Sequence, residues 1–577
     1  MMRAIFLSLA VLLCSLSSVQ AQLSQATPEI ATPAGAPAAT ATSYMVAAAH
    51  PLAVRAGRNI LAQGGSAIDA AIATQMVLNL VEPQSSGIGG GAFLLYWDAQ
   101  QKKLFTYDGR ETAPAAASET RFLDADGKPR KWSSVVGTGL SVGVPGALAM
   151  LEQAHKAHGT LAWQGLFDDA IKLSREGFGV SPRLSASLAD MGADKFSPAA
   201  RGYFFDEDGQ AWPLGHVLKN EPLAQVFEKI AAQGSAVFYK GEIAEHILAA
   251  LADAPAPASE MTAQDLASYA AKQRPPVCAP FQGFSVCGMG PPSSGGLTVA
   301  QILMLLDRMP HREKPDATAL HLIAEAEKLA YADRDRYMAD SDFIIVPDGL
   351  LDPDYVAARA KLVDQDKAST GKAEAGDPPS RGGKAGADAT REAPGTSHIS
   401  IVDARGNAVS MTTSVESAFG ARILVDGFLL NNQLTDFSFR ATDDQGVAIA
   451  NRPQGGKRPR SSMAPTMVFG PDGRLQAVLG SPGGSRIILY VVKAILAMTD
   501  WGLDPQAAAA LPAFGNRNGA TELEEGSALD ALAETLAAMG HEIKRAEMTS
   551  GLHIIAVTPQ GLAGGADPRR EGAALGN

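Results

Sequence analysis

Five clusters of charged, hydroxyl and glycine residues lie where the chain passes from one periodic segment to the next. They are Asp108-Gly-Arg-Glu-Thr-Ala-Pro114, Gly395-Thr-Ser-His398, Leu430-Asn-Asn-Gln-Leu-Thr-Asp436, Lys457-Arg-Pro-Arg-Ser-Ser-Met463 and Gly480-Ser-Pro-Gly-Gly-Ser485. Guanidinium and hydroxyl groups bind carboxylates, and carboxylates bind ammonium groups. A hydroxyl can serve as a nucleophile, and glycine N–H groups can meet a developing negative charge. Taken singly, each cluster also reads as a turn or a solvated loop.

Other motifs are weaker. No HExxH sequence occurs and no Cys/His cluster has zinc spacing, so no metal centre is expected. Gly87-Ile-Gly-Gly-Gly-Ala92 matches a dinucleotide fingerprint in letters, but the helix precedes it and the strand follows, the reverse of what that motif needs. Gly139-Leu-Ser-Val-Gly143 matches a serine-hydrolase elbow, with Ser141 as the nucleophile of that rival reading. The residues before it, Trp132 to Gly137, make a poor buried strand. His398, alone beside candidate nucleophiles, reads as a structural residue on a strand rather than a general base.

The elements that must position these clusters follow from periodicity. Pro51 to Gln63 predicts a helix stopped by Gly64-Gly65, and Ser66 caps a second helix running to Val81, with Asp69 three residues on. A glycine-rich turn, Ser85 to Gly91, leads into a strand over Ala92–Trp97. Helical patterning dominates about residues 145–345, strongest at Ala317–Met338. From Asp364 to His398 there is no Ile, Leu, Val, Met or aromatic residue, which predicts a flexible tract. Strand hairpins follow: Thr396–Val402 with Ala408–Ser414, and Pro465–Phe469 with Leu475–Leu479. Gly480–Gly484 then precedes a helix from Arg486 to about Trp501, and His553–Val557 reads as a strand.

The 577 residues are 46% hydrophobic and 19% charged, an ordinary globular composition. The net charge of −12 excludes a basic nucleic-acid or anionic-membrane binder. A basic Met1-Met-Arg3, an apolar run to Leu16 and small residues at Val19 and Ala21 predict a signal peptide over 1–21, with a flexible lead-in over 22–42. The expected address is periplasmic or secreted, with no membrane span after signal removal. Three cysteines are too few for a disulfide framework. Cys278 and Cys287 flank a turn at Gln282-Gly283 so that they fall opposite each other as a non-hydrogen-bonded pair, which suits one disulfide.

Together and in this order, the five clusters resemble the γ-glutamyltranspeptidase family of N-terminal nucleophile hydrolases. Pro83-Gln-Ser-Ser-Gly-Ile-Gly-Gly-Gly91, Pro291-Pro-Ser-Ser-Gly-Gly296 and Gly565-Ala-Asp-Pro-Arg569 add to the likeness, which spans nearly all of the mature chain. It implies an α+β fold, a four-layer αββα sandwich forming one composite domain from two chains. The precursor is expected to cut itself between Gly395 and Thr396, giving a large chain (43–395 after the lead-in, with 364–395 as its flexible pre-cleavage end) and a small chain (396–577). These two chains pair as a heterodimer. No cofactor is implied.

The resemblance gives Thr396 the role of nucleophile and Ser414 that of a hydroxyl orienting it. Gly483 and Gly484 supply oxyanion donors. Arg110, Ser461 and Ser462 bind the α-carboxylate of a γ-glutamyl substrate, while Asp436, Glu416 and Gln433 hold its amine; position 416 is Asn in some members. The free α-amine of Thr396, with a reference pKa of about 7.7–8.0, then acts as base. One departure is the segment 437–460, which is short and lacks the Tyr or Trp that lids the site in some members. The expected function is γ-glutamyl transfer from glutathione or related amides to water, amino acids or peptides. The alternatives are an acylase of this superfamily acting on glutaryl or cephalosporin-type amides, and an inactive secreted binding protein.

Overall fold

Strand parity decides which side chains meet which layer. In the computed structural model, which describes residues 35–379, 385–390, 392–393 and 395–577, the Gly395–Val402 strand pairs antiparallel with Ala408–Glu416, and that strand with Gly91–Asp98. Lys103–Gly109 and Lys272–Arg274 extend the sheet on this side; Met45–Ala48 and Ala573–Gly576 extend it on the other, completing seven strands. Val46, Leu94, Ile399, Ile401, Val409 and Met411 point from one face into a core shared with the helices Pro51–Ala62 and Ala67–Val81. Met45, Ala47, Phe93, Leu95 and Trp97 point from the other face into a second core.

That second core is closed by another antiparallel seven-stranded sheet. Its strands run in the order Ala39–Ala41, Gly561–Ala566, His553–Thr558, Leu475–Gly480, Thr466–Phe469, Phe284–Gly288 and Val277–Phe281. The helices Gly295–Leu306, Ala317–Tyr337 and Ile487–Thr499 cover its outer face with Ile302, Leu303, Leu320, Ile323, Val491 and Ile495. The layers are helix, sheet, sheet, helix: the expected αββα sandwich. Hydrogen bonds cross between the sheets, from Ser400 Oγ to the His553 carbonyl at 2.9 Å and from Ser410 Oγ to the Leu479 carbonyl at 3.0 Å.

Local signals explain the helix ends. Ser66 and Asp69 form a reciprocal capping box, each side chain accepting from the other's backbone N–H. Gln282 and Gly283 turn with φ of 47° and 84°, as a two-residue hairpin loop requires, and bring Cys278 and Cys287 opposite each other with Cα atoms 4.1 Å apart and sulfurs bonded.

Two expectations are corrected. The lead-in over 22–42 is not wholly unstructured: Ala39–Ala41 adds an edge strand to Gly561–Ala566, because backbone pairing needs no large side chain. Residues 1–34, including the expected signal peptide, lie outside the described residues. The tract from Asp364 is fastened to the body where it is described. Ala368 donates to the Met539 carbonyl at 2.8 Å, Gly376 to Asp333 at 2.8 Å and Ala373 to Asn518 at 2.7 Å, while Lys328 donates to the Ser369 carbonyl at 2.7 Å. Polar and backbone bonds order it where apolar burial does not.

Candidate active site

Thr396 is the second residue of its strand, on the inter-sheet parity shared with His398 and Ser400. The strand pairing places Thr396 opposite Ser414 and Gly395 opposite Glu416, with a register shift between them. Such a bulge re-aims neighbouring groups. The Ser414 hydroxyl is the node it creates. It donates to the Gly395 carbonyl at 2.8 Å, and accepts from the Thr396 hydroxyl at 3.3 Å and the Glu416 N–H at 2.8 Å. One donated and two accepted bonds exhaust what a hydroxyl can make. Glu416 itself sits at φ 84°, a costly conformation for a side-chain-bearing residue.

Gly395 has no space for a side chain. A Cβ there would stand 2.4 Å from the Glu416 carbonyl oxygen and 2.5 Å from the Ser417 carbonyl carbon. The scissile position expected from the sequence is therefore glycine for reasons of packing as well as of access.

The charged end of the site is built on Arg110, at the end of the Lys103–Gly109 strand. Its Nη2 donates to Asp436 at 2.6 Å and to the Arg460 carbonyl at 2.8 Å, and its Nε to the Pro459 carbonyl at 3.2 Å. Asp436 closes a single 3-10 turn, Gln433–Asp436, and Gln433 Nε2 donates to the same carboxylate oxygen at 2.8 Å. Asp436 Oδ1 and Gln433 Oε1 are buried with no hydrogen-bond partner among the described residues. Burial pushes the Asp436 carboxyl up to about 6, with Arg110 opposing it. Burial, with Asp436 nearby, holds Glu416 well above the usual carboxylate range.

Three further residues, which the sequence did not single out, bear on the cavity: Glu392 lines it, and Arg334 and Arg460 hold Glu392 from behind. Glu392, four positions before Thr396, sends its carboxylate onto Arg334 and the Ser462 hydroxyl, with Arg460 Nε 3.7 Å away. Burial raises Glu392, but Arg334, Arg460 and Ser462 outweigh it and hold the carboxyl below its ordinary value. Ala393 N–H donates to Glu416 at 2.8 Å. Arg334 belongs to the Ala317–Tyr337 helix, where a charged residue within a buried pattern carried a signal too weak to isolate. Arg460 belongs to the Lys457–Met463 cluster, and Glu392 to the tract without apolar residues.

One cavity is lined by Arg110, Thr396, Ser414, Glu416, Gln433, Asp436, Ser461, Ser462 and Gly484, together with Glu392 and Ala393. Gly483 adjoins Gly484, both at positive φ, just ahead of the Ile487–Thr499 helix, whose N-terminal end favours negative charge. With Glu392 and Ala393 in place the free space is about 20 Å³, room for about one water. No residue of 437–460 lines this cavity among those described.

His398 and Ser141 are held in bonds of their own. His398 is buried, bonded to Thr412 Oγ1 at 2.9 Å and Ser400 Oγ at 3.1 Å, and burial lowers its pKa far below the usual histidine range. Ser141 donates to the carbonyls of Val136 and Thr138 at 3.1 and 2.8 Å, with no histidine partner among the described residues. Among the described residues no group of three or more His, Cys, Asp or Glu could hold a metal, and no helix is long and apolar enough to cross a membrane.

Two stacked antiparallel sheets between helical layers, with Thr396 near the start of an interior strand, have the architecture of the N-terminal nucleophile hydrolases. Comparison with known proteins gives the family. The sequence profile described as gamma-glutamyltranspeptidase matches residues 53–577. The chain is 37% identical over 547 residues to the glutathione hydrolase proenzyme of Bacillus subtilis (strain 168), covering 92% of this chain and 91% of that protein. In structure it resembles the cephalosporin acylase from Bacillus halodurans (TM-score 0.81, 27% identity, 94% of this chain and 98% of that one). It also resembles the γ-glutamyltranspeptidase of Helicobacter pylori (TM-score 0.53, 34% identity, 56% and 92%). The chain belongs to the γ-glutamyltranspeptidase family.

Proposed function

We propose that this protein is made as a precursor, cuts itself between Gly395 and Thr396, and then transfers γ-glutamyl groups. The observation that carries this reading is the convergence of Thr396, Ser414, Arg110, Asp436, Ser461, Ser462 and Gly484 on one cavity. In self-cleavage the Thr396 oxygen bonds to the Gly395 carbonyl carbon. The C–N bond breaks, the hydroxyl proton ends on the freed amine, and water hydrolyses the ester to leave Gly395 as a carboxylate. Ser414 polarises the carbonyl and aligns the nucleophile. In turnover the α-amine of Thr396 takes the proton of its own hydroxyl as that oxygen attacks the γ-carbonyl. The oxyanion is met by Gly483 and Gly484, the leaving amine takes the proton, and water or an amine then attacks the γ-glutamyl ester.

The substrate's charges suit the cavity. The buried, unpartnered acceptors of Asp436 and Gln433, with Glu416 beside them, fit an ammonium group. Ser461, Ser462 and the arginines fit its carboxylate, with Arg110 also fixing Asp436. Glu392 occupies this cavity in the uncut chain, so its withdrawal is required before substrate enters. A hairpin disulfide and the signal-like start support an extracytoplasmic address, periplasmic or secreted.

A second reading is favoured by the likeness to a cephalosporin acylase over 94% of the chain: the same chemistry on a glutaryl-type amide. The test is a denaturing gel with N-terminal sequencing of the smaller band, expected to begin Thr-Ser-His. Turnover of γ-glutamyl against glutaryl anilides accompanies it. Thr396→Ala should give an uncut, inactive chain; a cut and active variant would refute the assignment.

A further inference from the structure

The nucleophile's strand is flanked unevenly. Its pairing with Ala408–Glu416 runs its whole length, but pairing on the other side, with Met45–Ala48, begins only at Ile399. Residues 396–398 extend beyond that neighbour. At this gap Arg570 Nη1 donates to the Thr396 carbonyl at 3.0 Å. Arg570 is buried, its Nε donates to the Ser550 carbonyl at 3.3 Å, and Nη1 lies 3.7 Å from Glu82 Oε1. Glu82 caps the Ala67–Val81 helix and accepts from the hydroxyl of the next residue, Ser397, and from Ser85 Oγ at 3.1 Å; Arg183 Nε is 3.5 Å away. Gly551 leaves the space through which Arg570 passes, since a Cβ there would stand 2.6 Å from its Cδ.

We infer that Arg570, braced by Glu82, is a positioning residue for Thr396, standing in for the strand neighbour that the first residues of this strand lack. The inference rests on Thr396 being the nucleophile. Before cleavage the chain through Gly395 also holds Thr396; afterwards Thr396 is a chain terminus, and termini fray unless tied down. A bond to the carbonyl of the terminal residue itself limits that motion while leaving hydroxyl and amine free. Glu82 comes from the large chain and Arg570 from the small one, so the tie also joins the two products of cleavage at the nucleophile. Neither residue lines the substrate cavity. A loss should therefore fall on kcat and not on KM, because misplacing a reacting atom by about 1 Å costs on the order of 10²-fold in rate.

The test uses the processed heterodimer of Arg570→Met, Arg570→Lys and Glu82→Gln, with kcat, KM and N-terminal sequencing of the small chain. Arg570→Met should lower kcat by about 100-fold with KM within about 3-fold of wild type, and Arg570→Lys should recover about 10-fold of that loss. Glu82→Gln should lower kcat by about 10-fold, again at constant KM. If Arg570→Met does not fold or process, the other two variants decide. A processed variant with kcat within about 3-fold of wild type, or a loss carried by KM, overturns the inference. Kinetics are read on whichever anilide the wild type cleaves, so failure of the γ-glutamyl reading leaves this test standing.

Discussion

The Ser414 hydroxyl donates to the Gly395 carbonyl at 2.8 Å while accepting from the Thr396 hydroxyl at 3.3 Å. In the proposed self-cleavage, one side chain would thus polarise the electrophile and hold the nucleophile of the same bond-breaking step. Ser414→Ala removes both contacts. Self-cleavage should slow by about 10²–10³-fold, the usual cost of losing one donor to a developing oxyanion, and Ser414→Thr should retain most of the rate. The precursor band followed over time on a denaturing gel gives the measurement; unchanged cleavage of Ser414→Ala would show that the contact is incidental.

Gly395→Ala tests the steric half of the same site. Its Cβ would sit 2.4 Å from the Glu416 oxygen, a backbone atom that cannot rotate away. The bulge at Gly395/Thr396 must then open, moving the carbonyl off Ser414. Uncut precursor should accumulate and its melting temperature should fall relative to the Thr396→Ala precursor, which keeps the glycine. Normal processing of Gly395→Ala would remove the steric argument.

These contacts explain what could be read from residues alone. The hairpins, the capping box at Ser66 and the cysteine pair were legible because turn and cap chemistry is local. The αββα order came from family likeness and not from periodicity, since inter-sheet positions such as His398, Ser400 and Ser410 are polar yet buried, and alternation alone assigns them to solvent. Thr396, Arg110 and Asp436 stood out through their clusters. Glu392 did not, because its burial depends on Arg334 some 58 positions earlier in the chain, and a tract without apolar residues offers no sign that ion pairing and backbone bonds will order it.

Asp436 is the residue on which the proposed recognition of a substrate amine can be tested. Its Oδ1 has no hydrogen-bond partner among the described residues, and with Glu416 close by the pair suits a cation. Asp436→Asn should reduce kcat/KM for a γ-glutamyl anilide by at least about 100-fold, in the range for unpairing a buried charged hydrogen bond, and leave a glutaryl anilide nearly unchanged. An equal loss on both substrates would show that Asp436 serves to hold Arg110 in place and not to read the amine.

Glu392 makes the uncut and cut proteins respond differently to one substitution. In the uncut chain its removal leaves the buried Arg334 with one carboxylate partner, Asp335 at 2.7 Å, in place of two, so the cost should be below the about 3–5 kcal/mol typical of leaving a buried charge unpaired. Glu392→Ala in a Thr396→Ala background should therefore melt lower than Thr396→Ala alone. In the processed enzyme the same change should leave kcat/KM within about 2-fold, since substrate then fills the cavity. Calorimetry of the precursors and kinetics of the mature forms check the two arms separately; an undiminished precursor stability would mean that the ion pair only offsets its own desolvation.

Glu111 gives the pH dependence with the clearest sign. Burial raises its carboxyl to about 8, with Arg110 opposing from 3.8 Å, and both its oxygens lack hydrogen-bond partners among the described residues. Its folded pKa lies above the ordinary carboxylate value, so the folded state holds a proton that the unfolded chain has lost. The stability it contributes is fully present below about pH 4.5, and is lost as pH rises through about 8. Between about pH 7 and 8.5 the loss approaches about 1 kcal/mol per pH unit at its steepest. Lys457 and Lys493, lowered to about 8 by burial, act in the opposite sense at the top of this range, so the quantity to compare is the difference between variants. Urea unfolding of the uncut Thr396→Ala chain, with and without Glu111→Gln, should show the glutamine variant gaining relative stability from pH 7 to 8.5. Parallel profiles would mean that Glu111 is ionised throughout and that Arg110, despite its other bonds, compensates the charge.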